Sequence, residues 1–119
     1  MDLLQHLGIE TLSVTPEEVQ LALTIADTHH QPFGYLHGGI SGVLIETACS
    51  IGANQHLSAP HFAVGVDLHV QHLNKASSGT LRVVAHPEKI GKNLHFWRAT
   101  VYLDNDLKIA IGQCTLMVN

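Results

Sequence analysis

Hydrophobic and polar positions alternate along most of this chain. Val19, Leu21, Leu23 and Ile25 are separated by polar or small residues, which is the two-residue period of a half-buried strand. The same period returns in a later series made up of Phe62, Val64, Val66, Leu68 and Val70, with His72 next in line. Further strands are predicted at Gly8–Val14, Thr80–His86, Leu94–Leu103 and Leu107–Val118. Turns are predicted at Thr15–Pro16, Pro87–Asn93 and Asp104–Asp106.

One long stretch has helical spacing instead. Its apolar positions recur at i, i+3, i+4, i+7, i+8 and i+11, and they are Ile40, Val43, Leu44, Thr47, Ala48 and Ile51. This spacing predicts an amphipathic helix from Gly38 to His56. The other side of that helix carries mostly small residues that would let another group approach its backbone: Gly39, Gly42, Glu46, Cys49, Ser50 and Ala53. The segment before it, Ala26–Leu36, is polar and contains Gly and Pro, so it is predicted to be a loop. Its length suggests that the loop has a function.

These elements predict an α+β fold. The connections between the later strands are too short for parallel crossovers, so the sheet should be antiparallel. One long helix with five or six long strands is best accommodated by a curved sheet wrapped around the helix. The chain has 119 residues and no linker or repeat, which predicts a single domain over residues 1–119.

Charge is distributed unevenly along the sequence. Residues 1–74 contain seven acidic residues and no Lys or Arg, whereas residues 75–119 contain six basic and three acidic residues. A formal net charge of −4 and an aromatic content of only 5% disfavour a nucleic-acid-binding protein. No apolar run approaches the roughly 20 residues needed to cross a bilayer, and the start lacks a basic leader region, so we expect a cytoplasmic protein that does not bind membranes. The charged content of 13% is low enough to suggest that another subunit covers part of the surface.

The cysteines and histidines do not predict a metal or cofactor. Cys49 and Cys114 lack metal-ligand spacing, and Cys49 is interpreted as a small packing residue. The ten histidines form no HExxH motif, and His29 and His30 are expected to be solvated.

Two local features suggest chemistry. His37-Gly38-Gly39 opens the predicted helix, where unpaired N–H groups attract anions or developing oxyanions, although the glycines could also serve only a tight turn. Glu46 has no Lys or Arg on its helix to pair with, which favours a functional carboxylate over an exposed helix glutamate. Gly38 and Glu46 lie about 12 Å apart along a helix. Two antiparallel copies could bring Glu46 of one chain to the helix start of the other, which predicts a composite site in a dimer.

The run Gln31-Pro-Phe-Gly-Tyr-Leu-His-Gly-Gly39, followed by Glu46 and by a strand that ends in His72, resembles the hotdog-fold acyl-CoA thioesterases. The resemblance extends over nearly the whole chain, from about Gly8. It is strongest to the PaaI-like branch with a helix glutamate, which includes hydrolases of hydroxybenzoyl-CoA and dihydroxynaphthoyl-CoA. Other members carry aspartate at the position of Glu46.

The resemblance implies a role for each matching residue. Glu46 would be the catalytic carboxylate, acting on the thioester or on water, and the Gly38 N–H would polarise the thioester carbonyl. Gln31 and His37 would orient the substrate, and the Ser50 hydroxyl would help place the water or the carboxylate. The implied protein is a homodimer or a tetramer of two dimers that needs no cofactor beyond the coenzyme A of its substrate.

Substrate contacts are expected from a second group of residues, namely His72, Gly39, Lys75, Lys89, Gly91 and Lys92. The basic members at strand ends and turns could hold the phosphates of coenzyme A, or they could be ordinary solubilising lysines. Tyr35 and Phe62 could line an aryl pocket or belong to the core. A non-catalytic acyl-CoA-binding module is the alternative function, and it would not need an unpaired carboxylate at the thioester. The histidine and acid arrangement of hotdog dehydratases is not found.

Overall fold

The computed structural model describes residues 1–104 and 106–119. It contains two α-helices, α1 (Leu3–Leu7) and α2 (Gly38–Asn54), and a 3-10 turn at Asp27–His29. The six strands are β1 (Glu10–Val14), β2 (Val19–Thr24), β3 (Ala63–His72), β4 (Thr80–Ile90), β5 (Leu94–Leu103) and β6 (Leu107–Val118). Neither helix is long and apolar enough to cross a membrane within the part of the chain that the structure describes.

All six strands form one antiparallel sheet in the order β1-β2-β4-β5-β6-β3. The helix α2 packs against five of them, β2 to β6, and the core lies between that helix and the sheet. The predicted α+β arrangement of a sheet around one long helix is therefore confirmed. Strand β3 lies at one edge of the sheet, next to β6 alone.

The buried side of α2 differs from the predicted one. Leu44 and Ala48 are fully buried, as their spacing indicates, but Val43, Thr47 and Ile51 are only half-buried and line an open cavity. The prediction was wrong for Val43 and Thr47 because they face this cavity and not the core, whereas Ile51 lines the cavity and also packs against the core.

Small residues on α2 let the sheet come close to the helix. A Cβ atom on Gly52 would overlap the indole of Trp97, whereas one on Gly42 would make an ordinary contact of 3.6 Å with Leu68. Cys49 has no exposed surface, which confirms its packing role. The small side of α2 was expected to admit another group, and for Gly42 and Cys49 that group is the protein's own sheet. Gly52, which was not predicted on that side, also faces the sheet.

A β-bulge interrupts the predicted alternation of β3. The register against β6 shifts between Gly65 and Asp67, so that Gly65 and Leu68 both pair with buried residues of β6. The single apolar face predicted from Phe62 to His72 was therefore wrong. Phe62 and Val64 are exposed, because before the bulge Ala63 and Gly65 face α2, whereas after it Leu68 and Val70 do.

Several boundaries also differ from the sequence prediction. Strand β4 continues through a bulge at Pro87 to Ile90, so Lys89 lies on a strand and not in the predicted turn at Pro87–Asn93. The first strand starts at Glu10 and α2 ends at Asn54, each two residues inside its predicted limit. The turn predicted at 104–106 includes residue 105, which lies outside the described residues.

Candidate active site

The site begins at the first turn of α2. His37 is the N-cap, and its Nδ1 accepts a hydrogen bond of 2.8 Å from the Gly39 N–H. The Gly38 N–H donates to none of the described residues, so it is the open donor at this helix start. Gly38 lies directly against His72, since a Cβ at position 38 would stand 2.8 Å from Cε1 and Nε2 and would have to displace that ring. The end of β3 and the start of α2 thus meet at this pair.

Glu46 lies two turns further along α2 and is half-buried. Its carboxylate packs against Gly65, where a Cβ would stand 2.5 Å from Oε2. Glu46 takes part in none of the ion pairs and hydrogen bonds found among residues 1–104 and 106–119. The carboxylate oxygens are therefore available to a substrate or a water molecule.

The last turn of α2 is tied to the start of β3. Ser50 lies one turn after Glu46, and its carbonyl accepts a hydrogen bond from Asn54 Nδ2. The Asn54 amide also bonds both backbone groups of Ala63, at 3.0 Å to its carbonyl and 2.9 Å from its N–H. This link fixes the strand that carries Gly65 against the helix that carries Glu46. Asn54 was not singled out from the sequence, where no periodic signal marks it.

One cavity of about 730 Å³ brings most of these groups together. Its polar members are Glu46, Thr47, Ser50 and His72, together with the backbone of Gly38 and Gly39. Its remaining walls are Gly42 and the side chains of Leu3, Leu4, Val43, Ile51, Leu68 and Val70. The arrangement offers an open N–H and a carboxylate in an apolar space, which suits a substrate with a carbonyl group and an apolar acyl part.

A second cavity of about 510 Å³ adjoins the first and shares Gly38 and His72 with it. Gln31, Tyr35 and Lys75 line this second space. The Gln31 side-chain oxygen accepts a hydrogen bond from the backbone N–H of Phe33, and this bond stabilises the loop before α2. The Lys75 ammonium lies 4.8 Å from the Tyr35 ring centre, a cation–π distance. Tyr35 is exposed here and does not belong to the core.

Lys89, Gly91 and Lys92 are not brought to either cavity of their own chain. Gly91 and Lys92 connect β4 to β5, and Lys89 precedes them on β4. The cross-strand pairs put Lys89 level with Asp67, five residues before His72 and three strands away from it. This separation is about 17 Å along the strands and about 14 Å across them.

His29 differs from its expected exposure. It is 3% exposed, its Nε2 lies 2.8 Å from the carbonyl of Leu7, and its Nδ1 accepts from the N–H of Ala26. The expectation of a solvated side chain was wrong because His29 bridges two segments that are distant in sequence. His30 is half-buried and contacts the carbonyl of Ser77 at 2.7 Å. No group of three or more potential ligands could hold a metal ion in the described ranges.

The two cysteines are unsuited to nucleophilic chemistry. Burial raises the pKa of the Cys114 thiol to about 12, and nearby Glu46 adds to the effect. Burial, followed by the neighbouring Cys114, also raises the pKa of Cys49. Because a thiolate is the reactive form, both groups stay inert at neutral pH. Glu46 is the other ionisable side chain of α2.

Comparisons with known proteins identify relatives of this chain. The thioesterase superfamily model matches residues 33–110. The chain is 34% identical over 118 residues to 1,4-dihydroxy-2-naphthoyl-CoA hydrolase of Listeria monocytogenes, covering 99% of this chain and 96% of that protein. It is 31% identical over 100 residues to the proofreading thioesterase EntH of Cronobacter turicensis, covering 84% and 73% of the two chains. The crystal structure of a thioesterase from Haemophilus influenzae superposes with a TM-score of 0.92 at 29% identity, covering 98% and 81%.

Proposed function

The chain belongs to the thioesterase superfamily and is a thioester hydrolase, and we propose that it cleaves an aromatic acyl-CoA with Glu46 as the catalytic carboxylate. The observation that carries the proposal is that the unpaired Glu46 carboxylate and the open Gly38 N–H face the same apolar cavity, so that a second copy of this face can pair each group with its counterpart. Its apolar walls suit an aromatic acyl group. The aromatic thioester in the name of the Listeria monocytogenes relative supports the same substrate class.

The start of α2 polarises the thioester. The carbonyl oxygen accepts a hydrogen bond from the Gly38 N–H, and the negative charge that develops on it is stabilised by the positive end of the helix dipole. A single such donor contributes roughly 2.7–4 kcal/mol to the transition state. The Gly39 N–H is bonded to His37, so His37 acts by shaping the helix start and Gly39 by letting the substrate come close. Gln31 and His72, which line the second cavity together with Gly38, orient the thioester.

Glu46 completes the hydrolysis by one of two balanced routes. As a nucleophile, its carboxylate oxygen bonds to the carbonyl carbon, the carbon–sulfur bond breaks, and the thiolate leaves and takes up a proton. Water then hydrolyses the resulting anhydride. As a general base, Glu46 takes a proton from a water molecule that attacks the same carbon, the carbon–sulfur bond then breaks, and the leaving thiolate takes up that proton. The Ser50 hydroxyl, one turn along the helix, positions the carboxylate or the water.

Two copies of the chain form the complete site. Gly38 and Glu46 are eight residues apart on one continuous helix, about 12 Å, which is too far for one carbonyl group to meet both. An isologous dimer supplies Gly38 from one protomer and Glu46 from its partner. The ten-residue edge strand β3, with exposed Val64 near its start and exposed Phe62 just before it, supports such a contact. A tetramer of two dimers is the larger assembly that we propose.

The nucleotide end of coenzyme A is held by cations. Lys75 serves the second cavity of its own chain, next to Gly38. Lys89, Gly91 and Lys92 reach a coenzyme A phosphate only from a different subunit, since they lie far from both cavities of their own chain. No cofactor beyond the substrate takes part in this reaction.

Thiol release from benzoyl-CoA and hydroxynaphthoyl-CoA tests the proposal. Glu46→Gln keeps the shape of the side chain but can neither attack nor accept a proton, so kcat should fall by at least about 100-fold. Glu10→Gln, on the exposed strand β1, is the matched control and should behave as the wild type. Near-normal turnover by Glu46→Gln on both substrates would contradict the catalytic role.

A further inference from the structure

The short helix α1 forms part of the wall of the Glu46 cavity. Leu3 and Leu4 line that space, although Leu3 is 56% exposed, while Leu7 packs against the core. Asp2 and Gln5 cap the start of α1 reciprocally. No sequence signal marks the two leucines as part of a site, so their place in the cavity is a finding of the structure.

A single buried histidine connects α1 to the loop before α2. His29 Nδ1 accepts from the Ala26 N–H at 2.9 Å, so its proton is on Nε2, which donates at 2.8 Å to the carbonyl of Leu7. This carbonyl lies in the last turn of α1, where helix carbonyls lack partners within the helix. The backbone carbonyl of His29 in turn accepts from the N–H of His37 at 2.8 Å. One residue thus ties the end of α1 to the N-cap of the catalytic helix.

We propose that α1 determines acyl specificity: Leu3 and Leu4 limit the size of the acyl group, and His29 is the positioning residue that holds them. The inference rests on the proposed function, because the wall has this role only if the acyl group occupies the Glu46 cavity. Leu3 and Leu4 belong to α1, whereas every other lining residue of the cavity belongs to α2 or β3, so the two leucines form a separate part of its wall. Shortening either side chain therefore enlarges the pocket without touching Glu46 or Gly38.

The test compares kcat/KM for acetyl-, benzoyl- and naphthoyl-CoA. Leu3→Ala and Leu4→Ala should raise the naphthoyl-to-benzoyl ratio by about 10-fold, the scale of discrimination by a few methylene groups, and leave acetyl-CoA turnover within about 2-fold. Leu12→Ala removes a leucine of similar exposure on β1, outside the cavity, and should keep the wild-type ratio. An equal change for all three substrates, or an unchanged ratio, would overturn the assignment.

Variants of His29 test the positioning role. His29→Leu is apolar and loses both hydrogen bonds, so it should shift the acyl ratio in the same direction as the leucine variants. His29→Gln keeps one donor and one acceptor and should restore most of the wild-type ratio. A His29→Leu effect that is identical for every acyl group would show a structural role only and would refute positioning.

The measurements distinguish failure of the specificity role of α1 from failure of the proposed function. Suppose that the wild type hydrolyses benzoyl-CoA, that Glu46→Gln does not, and that the Leu3 and Leu4 variants keep the wild-type naphthoyl-to-benzoyl ratio. Only the specificity role of α1 is then refuted. If the wild type hydrolyses none of the three thioesters, both the wall and the aromatic acyl-CoA assignment are refuted.

Discussion

The carboxylate of Glu46 lies against Gly65, so that a Cβ on Gly65 would stand 2.5 Å from Oε2 and 3.0 Å from Cδ. The two residues come from different elements, α2 and β3, and Gly65 directly precedes the bulge in β3. The missing side chain at position 65 leaves the room in which the carboxylate sits. Gly65 therefore sets the position of the catalytic group that we propose.

Gly65→Ala should reduce kcat by about 100-fold, the cost of misplacing a reacting group by about 1 Å. The added methyl meets the far end of a flexible side chain, so Glu46 moves while the fold persists. Thiol release measures the loss of activity, and the urea midpoint should stay close to the wild-type value. The matched control is the same change in a Glu46→Gln background, where it should cost little more, because interacting sites are not additive. Equal losses in the two backgrounds would contradict the positioning role.

Gly38→Pro and Gly38→Ala separate the N–H group from the space at the helix start. Proline suits the first position of a helix, and the extended backbone of His37, with φ −67° and ψ 129°, suits a following proline. Both variants add a Cβ that must displace the His72 ring, but only proline removes the donor. We expect Gly38→Pro to lose about 100-fold more kcat than Gly38→Ala, the usual effect of one oxyanion donor. Similar kcat values for the two variants would show that this N–H does not polarise the thioester.

Sequence reasoning located the groups whose signals are local. The helix-start motif pointed to His37 and Gly38, and the absence of a nearby cation pointed to Glu46. The structure places Gly38 and Glu46, but not His37, in the lining of one cavity. The fold class follows in the same way from two clear periodicities, and it is confirmed. Contacts between distant segments leave no periodic trace, which explains why the roles of Gly65 and His29 were missed. The β3 bulge also changes which residues face the helix, and no composition signal marks it.

Mixing two inactive variants tests whether the site spans two chains. In a two-fold dimer of Glu46→Gln with Gly38→Pro, one site combines both defects and the other has neither. After joint refolding from urea in equal amounts, about a quarter of the wild-type activity should return, because half of the dimers are mixed and each has one intact site. Glu46→Gln refolded with Glu46→Ala should recover nothing. No recovery in the first mixture would place both groups in one chain.

Neutralising Lys89 and Lys92 together should raise KM several-fold and change kcat little, because surface cations act on the charged nucleotide and not on the reacting carbonyl. Lys75→Ala, at the second cavity, should have the same kind of effect from the same chain as Gly38. The control is an acyl-pantetheine substrate, which lacks the phosphates and should show no difference between the variants and the wild type. An unchanged KM for the double variant with acyl-CoA would mean that Lys89 and Lys92 only contact solvent.

Stability should fall in mild acid through His95. This side chain is 1% exposed, its Nδ1 has no hydrogen-bond partner among the described residues, and its ring centre lies 5.7 Å from that of His56. Burial, followed by the charge of His56, lowers the pKa of His95 below its ordinary 6.5. Below about pH 6.5 the unfolded chain therefore binds a proton that the folded chain refuses. The stability contributed by neutral His95 is complete above that pH and is lost as the pH falls toward the folded pKa.

Urea midpoints measured between pH 7.5 and pH 5.5 check this effect. His95→Phe keeps a buried ring without a titrating group, so its midpoint should decline less steeply with falling pH than that of the wild type. His6→Gln removes a histidine from the surface of α1 and should leave the slope unchanged. The difference in slope is the readout, since it is independent of any constant change in packing. A His95→Phe slope equal to the wild-type slope would assign the acid sensitivity to other groups.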